Sequence, residues 1–143
     1  VDAIPIDVIP EKVKQIILDA NSMAIWPMDE YPLSKPYEIA SYFQDKGFRL
    51  YPIHDLEERI LEEQCYRDIR LIPDDYDILL LFTQPDQLPE TVNAIFNSNY
   101  IPPVVWTHVG IEDLESFDRM NEAGMNIVMG KDLMKRYREW TGD

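Results

Sequence analysis

Apolar residues recur along the chain with two different periods, and the alternation between them lays out the architecture. Val13, Ile16, Ile17 and Ala20 fall at helical spacing behind Pro10, a residue suited to a first helical turn that needs no amide donor. They predict a leading helix over 10–20. Met23 to Trp26 is a short apolar run that fits a buried strand, and Pro27 to Pro36, with three prolines, reads as a loop. Ile39, Ala40 and Phe43 lie on a second helix that Gly47 can end by turning left-handed, and Phe48 to Ile53 reads as the next strand. Between Leu56 and Asp75, Glu57, Glu58, Glu62 and Glu63 form a solvated helical face that Pro73 closes, so one short helix plus loop is expected. Ile78 to Phe82 is nearly all apolar, as befits a central parallel strand covered on both faces. Pro89 opens a helix carrying Val92, Ile95 and Phe96, and Val104 to Trp106 is a strand. Leu114, Phe117 and Met120 or Asn121 mark a helix ended by Gly124. Ile127 to Met129 is a last strand, and Leu133, Met134 and Tyr137 lie on a helix reaching Trp140.

Strands and helices that alternate in this way require right-handed crossovers. The expected fold class is α/β: a Rossmann-like, doubly wound, five-stranded parallel sheet in three αβα layers. One domain over 1–143 holds it, with residues 1–20 as a leading segment and helix. In such sheets a ligand crevice opens at the carboxyl ends of the strands, where their order reverses. The loops after Trp26, Ile53, Phe82 and Trp106 are therefore the candidate site, and Trp26 and Trp106 are expected to end neighbouring strands and wall it.

Composition narrows the function. A formal net charge of −14 repels nucleic acid and anionic membranes, so neither is an expected partner. No apolar run approaches the roughly 20 residues of a membrane-spanning helix, and no signal-peptide pattern opens the chain, so a soluble, cytoplasmic protein is expected. The single cysteine, Cys65, has no disulfide partner within the chain and reads as a packed thiol; no metal site is assigned.

In order and spacing the segments from about Ile16 to Tyr137 resemble the coenzyme A-binding domain family, whose fold is similar to the nucleotide-binding part of the succinyl-coenzyme A synthetase α-subunit. The marks are Lys35-Pro36-Tyr37 before the helix with Tyr42-Phe43; Gly47-Phe48-Arg49-Leu50-Tyr51-Pro52-Ile53; Ile60-Leu61 leading to Cys65-Tyr66; and Ile72-Pro73. They continue with Tyr76-Asp77 leading to Phe82 and Pro85, Val105-Trp106 then Gly110, Ala123-Gly124, Val128-Met129 and Met134-Lys135. The resemblance implies that coenzyme A phosphates rest on a glycine-containing turn after the first strand and on the start of the next helix, where free amides and the macrodipole favour an anion. It implies a binding set of Trp26, Pro27, Met28, Asp29, Lys35, Pro36, Tyr37, His54, Phe82, Thr83, Gln84, Trp106, His108 and Lys131.

This chain departs from the family at the phosphates. Pro27 and Asp29 stand where relatives have a glycine and, two places on, a small hydroxyl residue; Glu30 adds a further charge. Thr83 and Gln84 stand where relatives have basic residues. Hydrogen bonds to a charged group are each worth roughly 1.5–3 kcal/mol, so losing about three removes about 5–9 kcal/mol if they add independently. Micromolar affinity amounts to only about 8 kcal/mol. The expectation is a non-enzymatic protein that binds coenzyme A or a nucleotide-like ligand weakly if at all, with Lys35, Lys131 and Lys135 as compensating cations. The alternative is a member that has lost the cofactor and serves as a protein-interaction or subunit module, with a protein partner or a second copy of itself.

A third reading pairs His54 with His108 as an acid–base couple or, with Asp29 or Asp132, as a metal site, against local hydrogen bonding of each ring. Asp132 reads first as a helix cap. No nucleophile elbow, phosphate-loop lysine motif or zinc-protease signature is present, and no catalytic residue is assigned.

Overall fold

The computed structural model describes residues 8–143; the start of the leading segment lies outside them. Strand β1 (Ser22–Trp26), with four of its five side chains buried, is an interior strand of the sheet. It pairs in parallel with β2 (Arg49–Pro52) on one side and with β5 (Ile78–Leu81) on the other. β5 pairs with β6 (Val104–Thr107), and β6 with the two-residue β7 (Ile127–Val128), giving the order β2-β1-β5-β6-β7. Every pairing in this five-stranded sheet is parallel, as the alternating pattern requires.

Two clusters of buried side chains fill the layers. Ile17 of α1 (Glu11–Asp19), Phe43 of α2 (Lys35–Asp45) and Leu133 of α5 (Leu133–Thr141) pack with Met23, Ile25, Leu80 and Trp106 on one face. Val92 of α3 (Leu88–Phe96) and Phe117 of α4 (Leu114–Glu122) pack with Ala24, Leu79, Leu81 and Val105 on the other. Successive strand residues thus alternate between faces, and each fully buried Leu or Ile contributes roughly 1.5–3 kcal/mol. Among the described residues no helix is long and apolar enough to cross a membrane.

The element boundaries differ from the sequence reading in a few places. Pro10 is the N-cap of α1 rather than part of its first turn. The loop after β1 stops before Pro36, because Ser34 caps α2 and the missing amide of Pro36 costs nothing in a first helical turn. Gly47 and Gly124 do end their helices at φ 94° and 82°. The helix expected between Leu56 and Asp75 is absent. An antiparallel hairpin of β3 (Arg59–Ile60) and β4 (Glu63–Gln64) occupies the segment, followed by a 3-10 turn at Ile69–Leu71. The hairpin turns at Leu61 and Glu62, both with positive φ, and is held by Gln44 Nε2 donating to Leu61 O and Arg59 to Glu62 O. The four glutamates therefore form no helical face; Glu62 is a turn residue and Glu63 a strand residue.

Cys65 follows the hairpin, 7% exposed, and burial pushes its thiol up to about 11, consistent with a packed and unreactive group.

Candidate functional site

The strand order reverses between β1 and β5, and a cleft of about 640 Å³ opens there at the carboxyl ends. Trp26, Pro27, Met28 and Glu30 form one wall at and after the end of β1, and Ile53, His54, Asp55 and Leu56 another after β2. Thr83 follows β5, and Gln87, Glu90, Thr91 and Ala94 present one side of α3 and the turn before it. Glu30, Asp55 and Glu90 bring three carboxylates to this lining, which includes no lysine or arginine.

His54 is fixed by three contacts. Its Nδ1 accepts from the amides of Leu56 and Glu57, both at 3.0 Å, so the ring proton sits on Nε2 and is donated to Glu30 Oε1 at 3.0 Å. The turn beneath it is clamped by Arg67, whose guanidinium donates to the carbonyls of His54, Leu56 and Glu57. The Glu30 carboxyl is held below its ordinary 4.5 by its own backbone amide first and by His54 next. A preorganised anion therefore stands at the mouth of the cleft. Thr83 is 7% exposed, and its Oγ1 is buried with no partner among the described residues.

The loop between β1 and α2 withdraws most of its backbone nitrogens from any ligand. Pro27, Pro32 and Pro36 have none to offer. Met28 donates to Ile53 O at 2.8 Å, Tyr31 to the Asp29 carboxylate at 2.9 Å, Ser34 to Tyr31 O at 3.0 Å, and Tyr37 to the Ser34 hydroxyl at 3.3 Å. Lys35, the cation nearest the helix start, pairs with Glu38 at 3.0 Å.

A sequence model described as the CoA binding domain matches residues 21–137. The chain belongs to the CoA-binding domain family. It is 20% identical over 118 residues to YneT of Bacillus subtilis, an uncharacterized protein, covering 82% of this chain and 86% of that one. Its fold is similar to that of a hypothetical protein from Pyrococcus horikoshii OT3, with a TM-score of 0.84, 24% identity and 96% of each chain covered. It is likewise similar to Prb, the PH1109 protein redesigned for binding, with a TM-score of 0.86, 23% identity and 97% of each chain covered.

Against the binding set that the family resemblance implies, the cleft gathers Trp26, Pro27, Met28, His54 and Thr83. Asp29, Lys35, Pro36, Tyr37, Phe82, Gln84, Trp106, His108 and Lys131 do not line it. Asp29 is turned into its own loop, and Tyr37 packs against the core. The two tryptophans do not end neighbouring strands, because β5 runs between β1 and β6. They also belong to opposite faces. Trp26 packs on the α3 side, whereas Trp106 is 0% exposed in the other cluster and donates its Nε1 hydrogen to Lys131 O at 2.8 Å. Trp106 is a core residue and forms no wall of the cleft.

The histidines are separated in the same way. His54 lines the cleft, while His108 lies outside it with its ring 5.1 Å from that of Phe82 and its Nδ1 buried without a partner among the described residues. Burial holds His108 below its ordinary 6.5; Asp132 opposes it, and the Lys35 charge adds a smaller push downward. Asp132 caps α5 by accepting from Lys135 N at 3.0 Å, as read from the sequence. Among the described residues no group of three metal-ligating side chains comes together.

Ile53, Asp55, Leu56, Gln87, Glu90, Thr91 and Ala94 complete the cleft and were not in the sequence-derived set; nor was Glu30 as the partner of His54. A signal for the α3 residues exists. Positions 87, 90, 91 and 94 share one helical stripe directly behind a loop already assigned to the crevice.

Proposed function

We propose that this chain is a non-enzymatic ligand-binding member of the CoA-binding domain family that holds coenzyme A weakly if at all. The observation that carries the reading is the commitment of amides between Pro27 and Tyr37. Three positions lack an amide hydrogen and Met28, Tyr31, Ser34 and Tyr37 donate theirs within the protein, so seven of the eleven backbone nitrogens from 27 to 37 are withdrawn from a diphosphate. Charge acts in the same direction, since a phosphate entering the cleft meets three carboxylates and no lysine or arginine. The residues present do not fit the phosphate end of the cofactor.

Calorimetric titration with coenzyme A tests this. Little or no heat is expected at millimolar ligand, and micromolar dissociation would overturn the proposal. The paired substitution Pro27→Gly with Asp29→Ser restores an amide hydrogen, removes a carboxylate and frees the Tyr31 amide. It is expected to raise affinity for coenzyme A at least about tenfold, equivalent to about 1.4 kcal/mol. No gain would show that the loop is not what weakens binding.

A second reading, an interaction module, draws on apolar side chains at the crevice loops: Leu33 is 100% exposed, Leu56 80% and Tyr31 67%. Leu33→Asp with Leu56→Asp would abolish any concentration-dependent association seen by sedimentation if this surface carries it.

A further inference from the structure

His54 ties two loops of the cleft to one ring. Its Nδ1 accepts from the amides of Leu56 and Glu57, each at 3.0 Å, in the turn after β2, and its Nε2 hydrogen goes to Glu30 Oε1 at 3.0 Å in the loop after β1. The side chain is 11% exposed, so water offers little substitute for these partners. The arrangement requires a neutral ring. A proton added to Nδ1 turns the shared acceptor into a donor aimed at two other donors, and no rotation repairs this, because an imidazolium donates from both nitrogens and accepts at neither. Glu30 responds in the opposite sense, since its carboxylate is drawn more strongly to a charged ring than to a neutral one. Protonation therefore sets the two loops against each other.

The surroundings decide what moves. Glu30 meets the ring from the loop after β1, Asp55 and Glu57 belong to the ring's own turn, and Glu90 lines the same cleft from α3. Arg67, beyond the hairpin, donates to the carbonyls of His54, Leu56 and Glu57, and Tyr66 O accepts the His54 amide at 2.9 Å. A guanidinium stays charged at every pH near neutrality, so Arg67 keeps the carbonyl side of the turn when the amide side is released. The turn then hinges without unfolding. Asp55 and Leu56 line the cleft, so the part that hinges is one of its walls.

We propose that His54 is a pH-operated latch of the switch-point cleft: the neutral ring fastens the 55–57 turn to Glu30, and the imidazolium keeps Glu30 while it lets go of the Leu56 and Glu57 amides and frees that wall to move. The latch adds regulation to the cleft described under the proposed function and rests on that reading only for the cleft being the ligand site.

NMR of the intact protein between about pH 5 and 8, the range in which imidazoles ordinarily titrate, is the test. On the basic side the His54 ring nitrogens are expected to report a proton on Nε2 and a bare, accepting Nδ1. As the ring gains its second proton, the amide resonances of Leu56 and Glu57 are expected to shift with the same midpoint. Their hydrogen-exchange protection, corrected for the intrinsic effect of pH, is expected to fall about tenfold, the equivalent of about one hydrogen bond each. His54→Asn is the decisive variant, because an asparagine amide accepts from the same backbone and donates to Glu30 but does not titrate; the pH response of the two amides is expected to vanish. Glu30→Gln leaves the bonds from the two amides in place and is expected to keep that response. A proton on Nδ1 of the neutral ring, a ring that stays neutral throughout the range, amides that ignore its titration, or a response that survives in His54→Asn or disappears in Glu30→Gln would each overturn the latch. The wild-type titration decides the matter even if a variant fails to fold. None of these readouts needs a ligand, so failure of the latch is distinct from failure of the coenzyme A reading, which calorimetry decides.

Discussion

The carboxyl edge of the sheet has two sides, and they treat charge differently. On the α3 side lies the cleft, with Glu30, Asp55 and Glu90 in its lining. On the side of α2 and α5 stand two helix N-termini, which are the fold's ready-made anion sites, together with Lys35 and His108. Each N-terminus has one amide capped from within, α2 by the Ser34 hydroxyl and α5 by the Asp132 carboxylate, and Lys35 is paired with Glu38. One side thus has part of its attraction for anions met internally, while the other carries carboxylates. A few loop residues can thus change the charge a crevice prefers without touching the sheet beneath it, which is how one fold comes to serve different ligands.

The tryptophans give the largest test of this division. Trp106 is wholly buried on the α2 and α5 side and hydrogen-bonded to Lys131 O, so Trp106→Ala is expected to cost about 3–5 kcal/mol of stability. Trp26 is only partly buried on the cleft side, and Trp26→Ala is expected to cost less than about half as much. Denaturant melts of both variants check the contrast. Equal losses would mean that Trp26 belongs to the core and forms no wall open to a ligand.

The same contrast marks how far the sequence could be read. Period and punctuation gave the five strands and their flanking helices but not the strand order, because a sheet covered on both faces needs unbroken apolar runs such as Ile78–Leu81 whatever their neighbours. The hairpin at 59–64 escaped because its turn uses Leu61 and Glu62 at positive φ, where glycine or asparagine would have announced it. At the site, Pro27, His54 and Thr83 were legible from their position just after strands. Which face each side chain takes was not, since Trp26 and Trp106 look equivalent until the pairings Trp26↔Leu81 and Leu80↔Trp106 are known. One residue of register decides between a core tryptophan and a cleft tryptophan.

A smaller effect is expected at His54, the residue that ties Glu30 to the cleft. In His54→Ala the amides of Leu56 and Glu57 lose their common acceptor, at a cost of about 1 kcal/mol. The pH dependence changes as well. A carboxyl whose folded value lies below its ordinary 4.5 adds stability that is present above that value and is lost as pH falls through the lowered one. Without His54 the Glu30 titration, followed by NMR of its side-chain carboxyl carbon, should move back up toward 4.5, while its own backbone amide keeps part of the depression. An unmoved titration would show that Glu30 is not held by the histidine, and the preorganised anion of the cleft would be lost with it.

Thr83→Val is the smallest change and bears on the cleft's most unusual atom. Valine keeps the shape and exchanges a buried hydroxyl that has no partner among the described residues for a methyl group. An unpaired hydroxyl taken out of water is a cost to the fold, so its removal is expected to leave stability unchanged or raise it by up to about 1 kcal/mol. The sign carries the information. A Thr83 whose hydroxyl served the fold would make the same substitution destabilising, because a hydrogen bond would vanish. Stability unchanged or gained shows that the hydroxyl does nothing for the fold. A loss of stability of more than about 1 kcal/mol would place that oxygen in the architecture, with a hydrogen bond that the folded protein forms and valine cannot replace.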